Sequence, residues 1–305
     1  MQKGAQYQAV WELISEIFKD KIPADSIINA YVRERKYIGS KDRRFITETV
    51  WKIIRNRRKL VFDAGSNEPR RVLLTYLQDE DFDLLCGGEY GLAPLSKEEK
   101  EWLKRRNEEV YPAAVEAECP DWLFDKVKDI HLLKALNEPA SADLRLNKGS
   151  RARVIEQLQG EGLYFVPTPY SPIGIRSAER VNLNNCVAYK EGVIEVQDEA
   201  SQLAAILADV RPEHKIIDYC CGAGGKSLTM AFLMNRQGKI QIHDINRSRL
   251  EAVKERTVRL DVKNLEIIDE VGDRDYDRFV VDAPCSGTGT VSYTHLRAHE
   301  TDSYL

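Results

Sequence analysis

The sequence predicts a multidomain protein with an all-α bundle, a small α+β unit and an α/β domain, in that order. Its 305 residues are 43% apolar, which is enough to form more than one hydrophobic core. Apolar residues recur at helical spacing near the start of the chain, whereas strand-like and helix-like segments alternate near its end. Such alternation is typical of a parallel sheet, whose ligands bind beyond the carboxyl ends of the strands.

The all-α unit is predicted to span residues 1–135. Apolar side chains follow a helical period from Val10 to Phe18 and again from Ile46 to Ile54, so both helices face a common core. Residues 96–99 have the spacing of a capping box and begin another helix. The helix that starts near Asp121 is interpreted as the last of this unit.

The α+β unit is predicted for residues 139–196. Its strand candidates are residues 144–147, 164–166 and 193–196. Ser150 can cap a helix that Gly160 and Gly162 end. We interpret this segment as a small subdomain between the two larger ones.

The α/β domain is predicted for residues 197–290. Its elements are, in order, a helix at 199–208, a strand ending at Asp218, a glycine loop with its helix, a strand ending at Asp244, a helix at 248–260, a strand at 265–268 and a strand ending at Asp282. Asp218, Asp244, Asp269 and Asp282 therefore stand where strands end. Because parallel sheets bind ligands at that edge, all four are candidate site residues.

The glycine loop permits three ligand classes. A phosphate loop requires Gly-x4-Gly-Lys-Ser/Thr, and Cys220 occupies the first glycine position here. The dinucleotide pattern begins at Gly222 and Gly224 but has Ser227 at the position of its third glycine. Asp244 can accept hydrogen bonds from two ribose hydroxyls, which suits either NAD or S-adenosylmethionine. The alternative is that the loop is only a tight turn and binds no ligand.

Two segments together resemble a known family. Residues 218–226 have the form Asp-x-Cys-x-Gly-x-Gly-Gly-Lys, and residues 282–289 have the form Asp-Ala-Pro-Cys-Ser-Gly-x-Gly. The pair resembles the S-adenosylmethionine-dependent RNA cytosine-5 methyltransferases of the RsmB/Nop/Sun family. Residues 197–202 resemble the family's lead-in helix, and residues 28–31 and 35–44 resemble the NusB-like domain of its bacterial ribosomal members.

The resemblance implies a fold and a cofactor site. It makes residues 1–135 a NusB-like RNA-binding domain and residues 197–290 a Rossmann-like methyltransferase domain that is incomplete. The implied cofactor is S-adenosylmethionine, with the 220–226 loop at its methionine end, Asp244 at the ribose and Asp269 on the adenine side. The full set of implied cofactor-binding residues is Cys220, Cys221, Gly222, Ala223, Gly224, Gly225, Lys226, Asp244, Asp269 and Asp282.

Two residues are implied to be catalytic. Asp282 would face both the cofactor and the base, and Cys285 would assist product release rather than make the first attack. The attacking cysteine of the family lies in a Thr-Cys-Ser motif, and no cysteine follows Cys285 in this sequence. Residues 291–305 resemble translated adaptor sequence, so we expect an aberrant tail on a truncated and inactive product. If the sheet ends at its fourth strand, the one before Asp282, either Phe279 and Val281 or Val280 should lie on an open sheet edge.

The charge distribution predicts an RNA partner. The net charge is −4, but the segment from Arg33 to Lys59 holds eleven Lys and Arg against three Asp and Glu, a local excess of eight. A local basic face is sufficient to bind phosphates, although a solvated helix surface is the alternative. The candidate contacts are Arg35, Lys36, Lys41, Arg43, Arg44, Arg57 and Arg58. By resemblance, the RNA is small-subunit ribosomal RNA.

Other classes are disfavoured by the sequence. No apolar run is long enough to span a membrane, and the six cysteines include no Cys-x-x-Cys pair, so neither a zinc site nor a disulfide scaffold is expected. We expect a cytoplasmic monomer without a metal. The alternatives are a transfer-RNA cytosine-5 methyltransferase, a non-catalytic NusB-like RNA-binding protein and an NAD-dependent oxidoreductase, the last disfavoured by the Asp-Ala-Pro-Cys motif.

Overall fold

The structure is a computed structural model that describes residues 1–19, 21–105, 107, 109–178, 181–272 and 275–284. The chain divides between Ala140 and Ser141 into two compact units. The first is helical. The second contains both the predicted α+β segment and the predicted α/β segment, and each segment has its own sheet.

The helical unit packs around its first helix, in which Val10, Leu13 and Ile14 are fully buried. Its helices are α1 (Lys3–Ile17), α2 (Ala24–Glu34), α3 (Ser40–Arg55), α4 (Arg57–Ala64), α5 (Pro69–Tyr76), α6 (Phe82–Leu85), α7 (Lys97–Leu103), α8 (Ala113–Glu116), α9 (Asp121–Val127) and α10 (Ile130–Asn137). The capping box before α7 has both of its hydrogen bonds, between Ser96 and Glu99.

The prediction that α9 ends this unit is wrong. Lys128 takes a left-handed conformation (φ 53°) and stops α9. The carboxylate of Asp129 then accepts a hydrogen bond from the backbone N–H of Leu132 and starts α10. A cap within two residues of a helix end allows a second helix to begin at once, and this second start was not predicted from the sequence.

Glu118 caps the N-terminal end of α4. Its carboxylate accepts hydrogen bonds from the backbone N–H groups of Arg58 and Lys59, at 2.9 and 3.0 Å. The N-terminal N–H groups of a helix have no partner within the helix, so this side chain satisfies two of them. Burial nevertheless raises the pKa of Glu118 to about 7.

An antiparallel sheet with strand order β2-β3-β1-β4 opens the second unit. Its elements are β1 (Ala142–Leu146), α11 (Arg151–Gly160), β2 (Val166–Pro167), β3 (Gly174–Ser177), α12 (Val187–Lys190) and β4 (Ile194–Val196). The strand predicted at 164–166 is wrong in its bounds: β2 shares only Val166 with it, and Tyr164 is exposed and outside the strand pairing. β3 has no predicted counterpart, because a four-residue segment that begins with glycine carries little strand signal.

A parallel sheet completes the second unit, with strand order β7-β6-β5-β8. Its elements are α13 (Glu199–Leu207), β5 (Lys215–Asp218), α14 (Gly225–Leu233), β6 (Lys239–Ile242), α15 (Arg247–Arg259), β7 (Leu265–Ile267) and β8 (Arg278–Val280). All three pairings are parallel, and the order is 3-2-1-4 when the strands of this sheet are numbered along the chain. Ile216, Ile240 and Ile242 are fully buried in its core.

β8 is the last strand of this sheet within the described residues. Phe279 is 54% exposed and Val281 is 53% exposed, as expected for this edge. Val280 instead packs against the core. No helix in the described ranges is both long and apolar enough to cross a bilayer.

We expect Glu118→Gln to flatten the pH dependence of helical-unit stability. The pKa of Glu118 is raised from 4.5 to about 7 in the folded state. Its contribution to stability is therefore complete below about 4.5 and is lost as the pH rises through about 7. Denaturant unfolding followed by tryptophan fluorescence can measure this, because Trp11, Trp51, Trp102 and Trp122 all lie in the helical unit.

Glu116→Gln is the matched control. Its hydrogen bond to Lys134 lowers the pKa of Glu116, so this group loses its contribution as the pH falls. If the Glu116→Gln and Glu118→Gln variants have the same pH profile, burial of Glu118 is not the cause of the wild-type slope.

Candidate cofactor site

A cavity of about 240 Å³ lies at the carboxyl edge of the parallel sheet. It is lined by Val196, Gln197, Asp198, Ser201, Asp218, Cys220, Cys221, Ala223, Gly225, Lys226, Arg256 and Asp282. Seven of the predicted site residues are thus brought together. The volume is below the range of about 300–1,000 Å³ that is usual for small-molecule sites, so the cavity can hold only one end of a nucleoside cofactor.

The glycine loop approaches α15 closely. Gly222 and Gly224 have positive φ angles of 56° and 78°, which side chains other than glycine rarely adopt. A β carbon on Gly224 would also come within 2.9 Å of Val253 in α15. Gly224 is the N-cap of α14, whose first N–H groups carry partial positive charge.

Asp244 holds the glycine loop in place. Its Oδ2 accepts a hydrogen bond from the backbone N–H of Gly222, and its Oδ1 accepts one from that of Asn246, both at 2.8 Å. Each carboxylate oxygen has a second lone pair, so Asp244 retains the capacity to accept ribose hydroxyls. It does not line the cavity itself.

Asp218 lacks a partner for one of its oxygens. It is the last residue of β5 and is almost fully buried. Its Oδ2 accepts a hydrogen bond from the Ser227 hydroxyl at 2.6 Å, whereas Oδ1 has no partner among the described residues. Burial raises the pKa of Asp218, against the effect of Ser227 and Lys226. A cationic group in the cavity would satisfy the free oxygen, and the ammonium of an amino acid is such a group.

The last predicted acids differ in their position. Asp282 accepts a hydrogen bond from Lys226 at 2.5 Å and so joins the end of β8 to the glycine loop. Asp269 is 70% exposed, pairs with Arg247 at 2.9 Å and does not line the cavity. Cys285, the other predicted catalytic residue, lies outside the described residues.

The two loop cysteines are protonated thiols at neutral pH. Burial raises the pKa of Cys221 to about 12 and also raises the pKa of Cys220. Neither is therefore an activated nucleophile, since the thiolate is the reactive form. The described residues include no group of three or more His, Cys, Asp or Glu side chains arranged to hold a metal.

Five cavity residues were missed as site residues: Gln197, Asp198, Ser201, Arg256 and Val196. The first three belong to the segment that had been assigned only as a lead-in helix. Arg256 had no sequence signal at all, because it stands among other charged residues of a surface helix. Its contact with the loop, a hydrogen bond to the carbonyl of Ala223, depends on chain segments 33 residues apart.

A buried chain of hydrogen bonds fixes Gln197. Arg145 has no exposed surface, and its Nε donates to Gln197 Oε1 at 2.8 Å. The Thr229 hydroxyl, on α14, donates to the same oxygen at 2.7 Å. β1 of the antiparallel sheet is thereby linked to the helix that follows the glycine loop.

The predicted RNA-binding residues lie in the helical unit and fall into two groups. Lys36, Lys41 and Arg43 are exposed, without a partner in the described part of the chain, and Arg44 is exposed and pairs with Glu48 at 2.8 Å. These residues are accessible to phosphates.

The other group is engaged within the fold. Arg35 and Arg57 lie over aromatic rings, at 3.7 and 4.1 Å from the ring centres. Arg58 donates to the carbonyl of Cys119 and to the carboxylate of Asp121. Their first role is therefore structural.

Comparison with known proteins identifies the domain. Residues 204–302 match the family described as 16S rRNA methyltransferase RsmB/F. The resemblance to the RsmB/Nop/Sun family is confirmed over this segment, which is about a third of the chain. The predicted cofactor, S-adenosylmethionine, is confirmed with this assignment.

The similarity to curated proteins covers more of this chain than residues 204–302. A probable ribosomal RNA small subunit methyltransferase B of Bacillus subtilis is 27% identical over 58% of this chain and 43% of its own length. The Synechocystis protein of the same name is 29% identical over 82% of this chain and 68% of its own length. The chain thus spans about two fifths of the first relative.

A solved structure supports the observed fold. The crystal structure of PH0851 is 18% identical and superposes with a TM-score of 0.71 over 99% of this chain and 80% of that one. At this identity the likeness concerns the fold alone. The α/β domain accordingly has a Rossmann-like fold.

Replacing Asp244 by alanine should weaken S-adenosylmethionine binding by about tenfold or more, since hydrogen bonds to a charged group contribute roughly 1.5–3 kcal/mol. Calorimetric titration measures the effect. Asp275→Ala, at an exposed aspartate outside the cavity, is the control and should bind as the wild type does. Unchanged binding by Asp244→Ala would remove Asp244 from the site, and saturation with NAD alone would favour an oxidoreductase.

Proposed function

We propose that this protein transfers a methyl group from S-adenosylmethionine to carbon 5 of cytosine in small-subunit ribosomal RNA. The observation that carries the proposal is the hydrogen bond between Lys226 and Asp282. It brings the start of the Asp-Ala-Pro-Cys segment to the cofactor loop. A cofactor site and a candidate base-reacting segment therefore share one cavity wall, which is the arrangement that methyl transfer to a base needs. The family match and the rRNA methyltransferase relatives support the same substrate class.

The chemistry requires activation of the base. Carbon 5 of cytosine is too electron-poor to accept a methyl group directly, so a thiolate must first add to carbon 6. When bound, the cofactor supplies an electrophilic methyl group. Asp218 would hold its ammonium through the free Oδ1, and Asp244 its ribose.

Asp282 acts on the base side in this proposal. Its carboxylate is 59% exposed, so it can reach a substrate. It would stabilise the protonated ring nitrogen of the activated cytosine, while Lys226 holds its other side. Cys285 would then assist release of the methylated product.

We also propose that these 305 residues do not turn over by themselves. Cys285 is the last of the six cysteines in the sequence, and the described cysteines at the cavity are thiols of raised pKa. No thiolate is therefore assigned to the attack on carbon 6. The proposed cellular location is the cytoplasm, and the proposed form is a monomer without a metal.

Tritiated-methyl transfer to unmodified small-subunit RNA tests this assignment. The 305-residue chain should bind the cofactor but give no 5-methylcytosine, because the carbon 6 adduct cannot form. A chain extended by the family's Thr-Cys-Ser strand should be active, and should lose activity when that cysteine becomes serine. Robust turnover by the 305 residues that disappears in Cys285→Ser would make Cys285 the attacking residue.

The NusB-like assignment of residues 1–135 is part of the proposal, with Lys36, Lys41 and Arg43 as its phosphate contacts. A larger cleft of about 1510 Å³ in the helical unit is a poorer RNA site. Its lining includes five glutamates and three arginines, so it does not favour phosphate. Transfer RNA is the alternative substrate.

The triple change Lys36→Ala, Lys41→Ala and Arg43→Ala should weaken RNA binding. It should also lower the slope of log affinity against log salt by about 0.7 to 0.9 for each lost phosphate contact. The control is the triple alanine variant of Lys97, Lys100 and Arg105, which are exposed on or just after α7. Equal slopes for the two variants would make the predicted basic face a solvated surface.

A further inference from the structure

The cavity is flanked by a cluster with excess positive charge. Glu195 is almost fully buried, and its Oε2 accepts hydrogen bonds from Arg259 and, at 3.4 Å, from Arg256. Arg145 is buried in the same cluster, close enough for the charge of Glu195 to act on it. Among the described residues, no second carboxylate pairs with these three guanidinium groups. One negative charge therefore stands against three positive charges, in surroundings from which water is partly excluded.

Arg256 presents this excess charge to the cavity. It belongs to the cavity lining, and its Nη1 donates to the carbonyl of Ala223 in the cofactor loop. Its Nε is engaged by Glu195, and Nη2 has no partner within the described residues. An arginine with two engaged nitrogens and one free nitrogen is held in position to bind an anionic group.

Gln197 supplies a second donor to the same wall. Its Oε1 accepts from both Arg145 and Thr229, and its Nε2 has no partner in the described part of the molecule. The amide cannot be turned over at low cost, because Arg145 has only donors and would then face the amide N–H groups. The free Nε2 is therefore fixed as a donor, beside Gly225.

We propose that Arg256 and Gln197 form the subsite for the carboxylate of the cofactor's amino-acid group. This inference rests on the S-adenosylmethionine site described above. The cavity also contains three acids, Asp198, Asp218 and Asp282, which disfavour a group that carries only negative charge, such as phosphate. A zwitterion fits better, because its carboxylate faces the two free donors while its ammonium faces the free oxygen of Asp218.

Two ligands that differ only in this carboxylate test the proposal. S-adenosylhomocysteine and its decarboxylated analogue are titrated calorimetrically into the wild type and into Arg256→Met. The wild type should prefer the carboxylated ligand by about tenfold or more, as expected for charge-assisted hydrogen bonds. Arg256→Met should lose that preference by weakening S-adenosylhomocysteine alone. Arg256→Lys should restore part of it.

Arg249→Met is the matched control, since Arg249 is exposed on the same helix and outside the cavity. It should keep the wild-type preference. Should Arg256→Met fail to fold, as judged by its thermal melt, Gln197→Met provides the same comparison.

Three results would separate the competing explanations. If Arg256→Met weakens both ligands equally, Arg256 only supports the loop through Ala223, and the subsite is wrong. The subsite is also wrong if the wild type does not discriminate between the two ligands. If the wild type binds neither of them, nor S-adenosylmethionine, the proposed function itself fails.

Discussion

The buried charge of Arg145 is the constraint on which the second unit depends. Burial lowers the pKa of this side chain to about 9, so it remains charged at neutral pH. A buried charge costs several kcal/mol unless polar groups surround it. Gln197, Asn147 and Glu195 are those groups here. The antiparallel sheet must therefore hold β4 and the residues before α13 next to Arg145. Val196, Gln197 and Asp198 of this segment form part of the cavity wall.

The same junction is reinforced by a second set of charges. Arg176 of β3 donates twice to Asp143 of β1, both at 2.7 Å, and also reaches Glu199 of α13. Glu199 in turn accepts from the backbone N–H groups of Tyr170 and Ser171. These contacts make the small sheet part of the cofactor site's support. These contacts connect elements on both sides of the boundary predicted at residue 196.

Much of the parallel sheet could be predicted, because its signals are local. Each strand is a short apolar run, and its loop or cap follows directly in the sequence. β3 and α10 could not be predicted, since a short strand is defined by its neighbours and a rapid helix restart by one aspartate. Both misses lie where local propensity is weak and tertiary pairing decides.

The site was predictable only where a motif carried it. The glycine loop, Asp244 and Asp282 stand in recognisable patterns. Gln197 and Arg256 acquire their roles from partners distant in sequence, such as Arg145, which is 52 residues from Gln197. Arg58 shows the converse limit, because it stands in a basic run but its guanidinium already donates to Cys119 and Asp121. Composition reports charge, but it does not report whether that charge is free.

The order β7-β6-β5-β8 also has a consequence for synthesis on the ribosome. β5 gains β6 soon after it is made, but its other neighbour comes much later. The backbone N–H of Lys215, at the start of β5, donates a hydrogen bond to the carboxylate of Asp277, which precedes β8 and is 62 residues away. At roughly 5–20 residues per second this delay is about 3 to 12 s. During that interval β5 has an open edge, so the cofactor site can be completed only after β8 has left the ribosome.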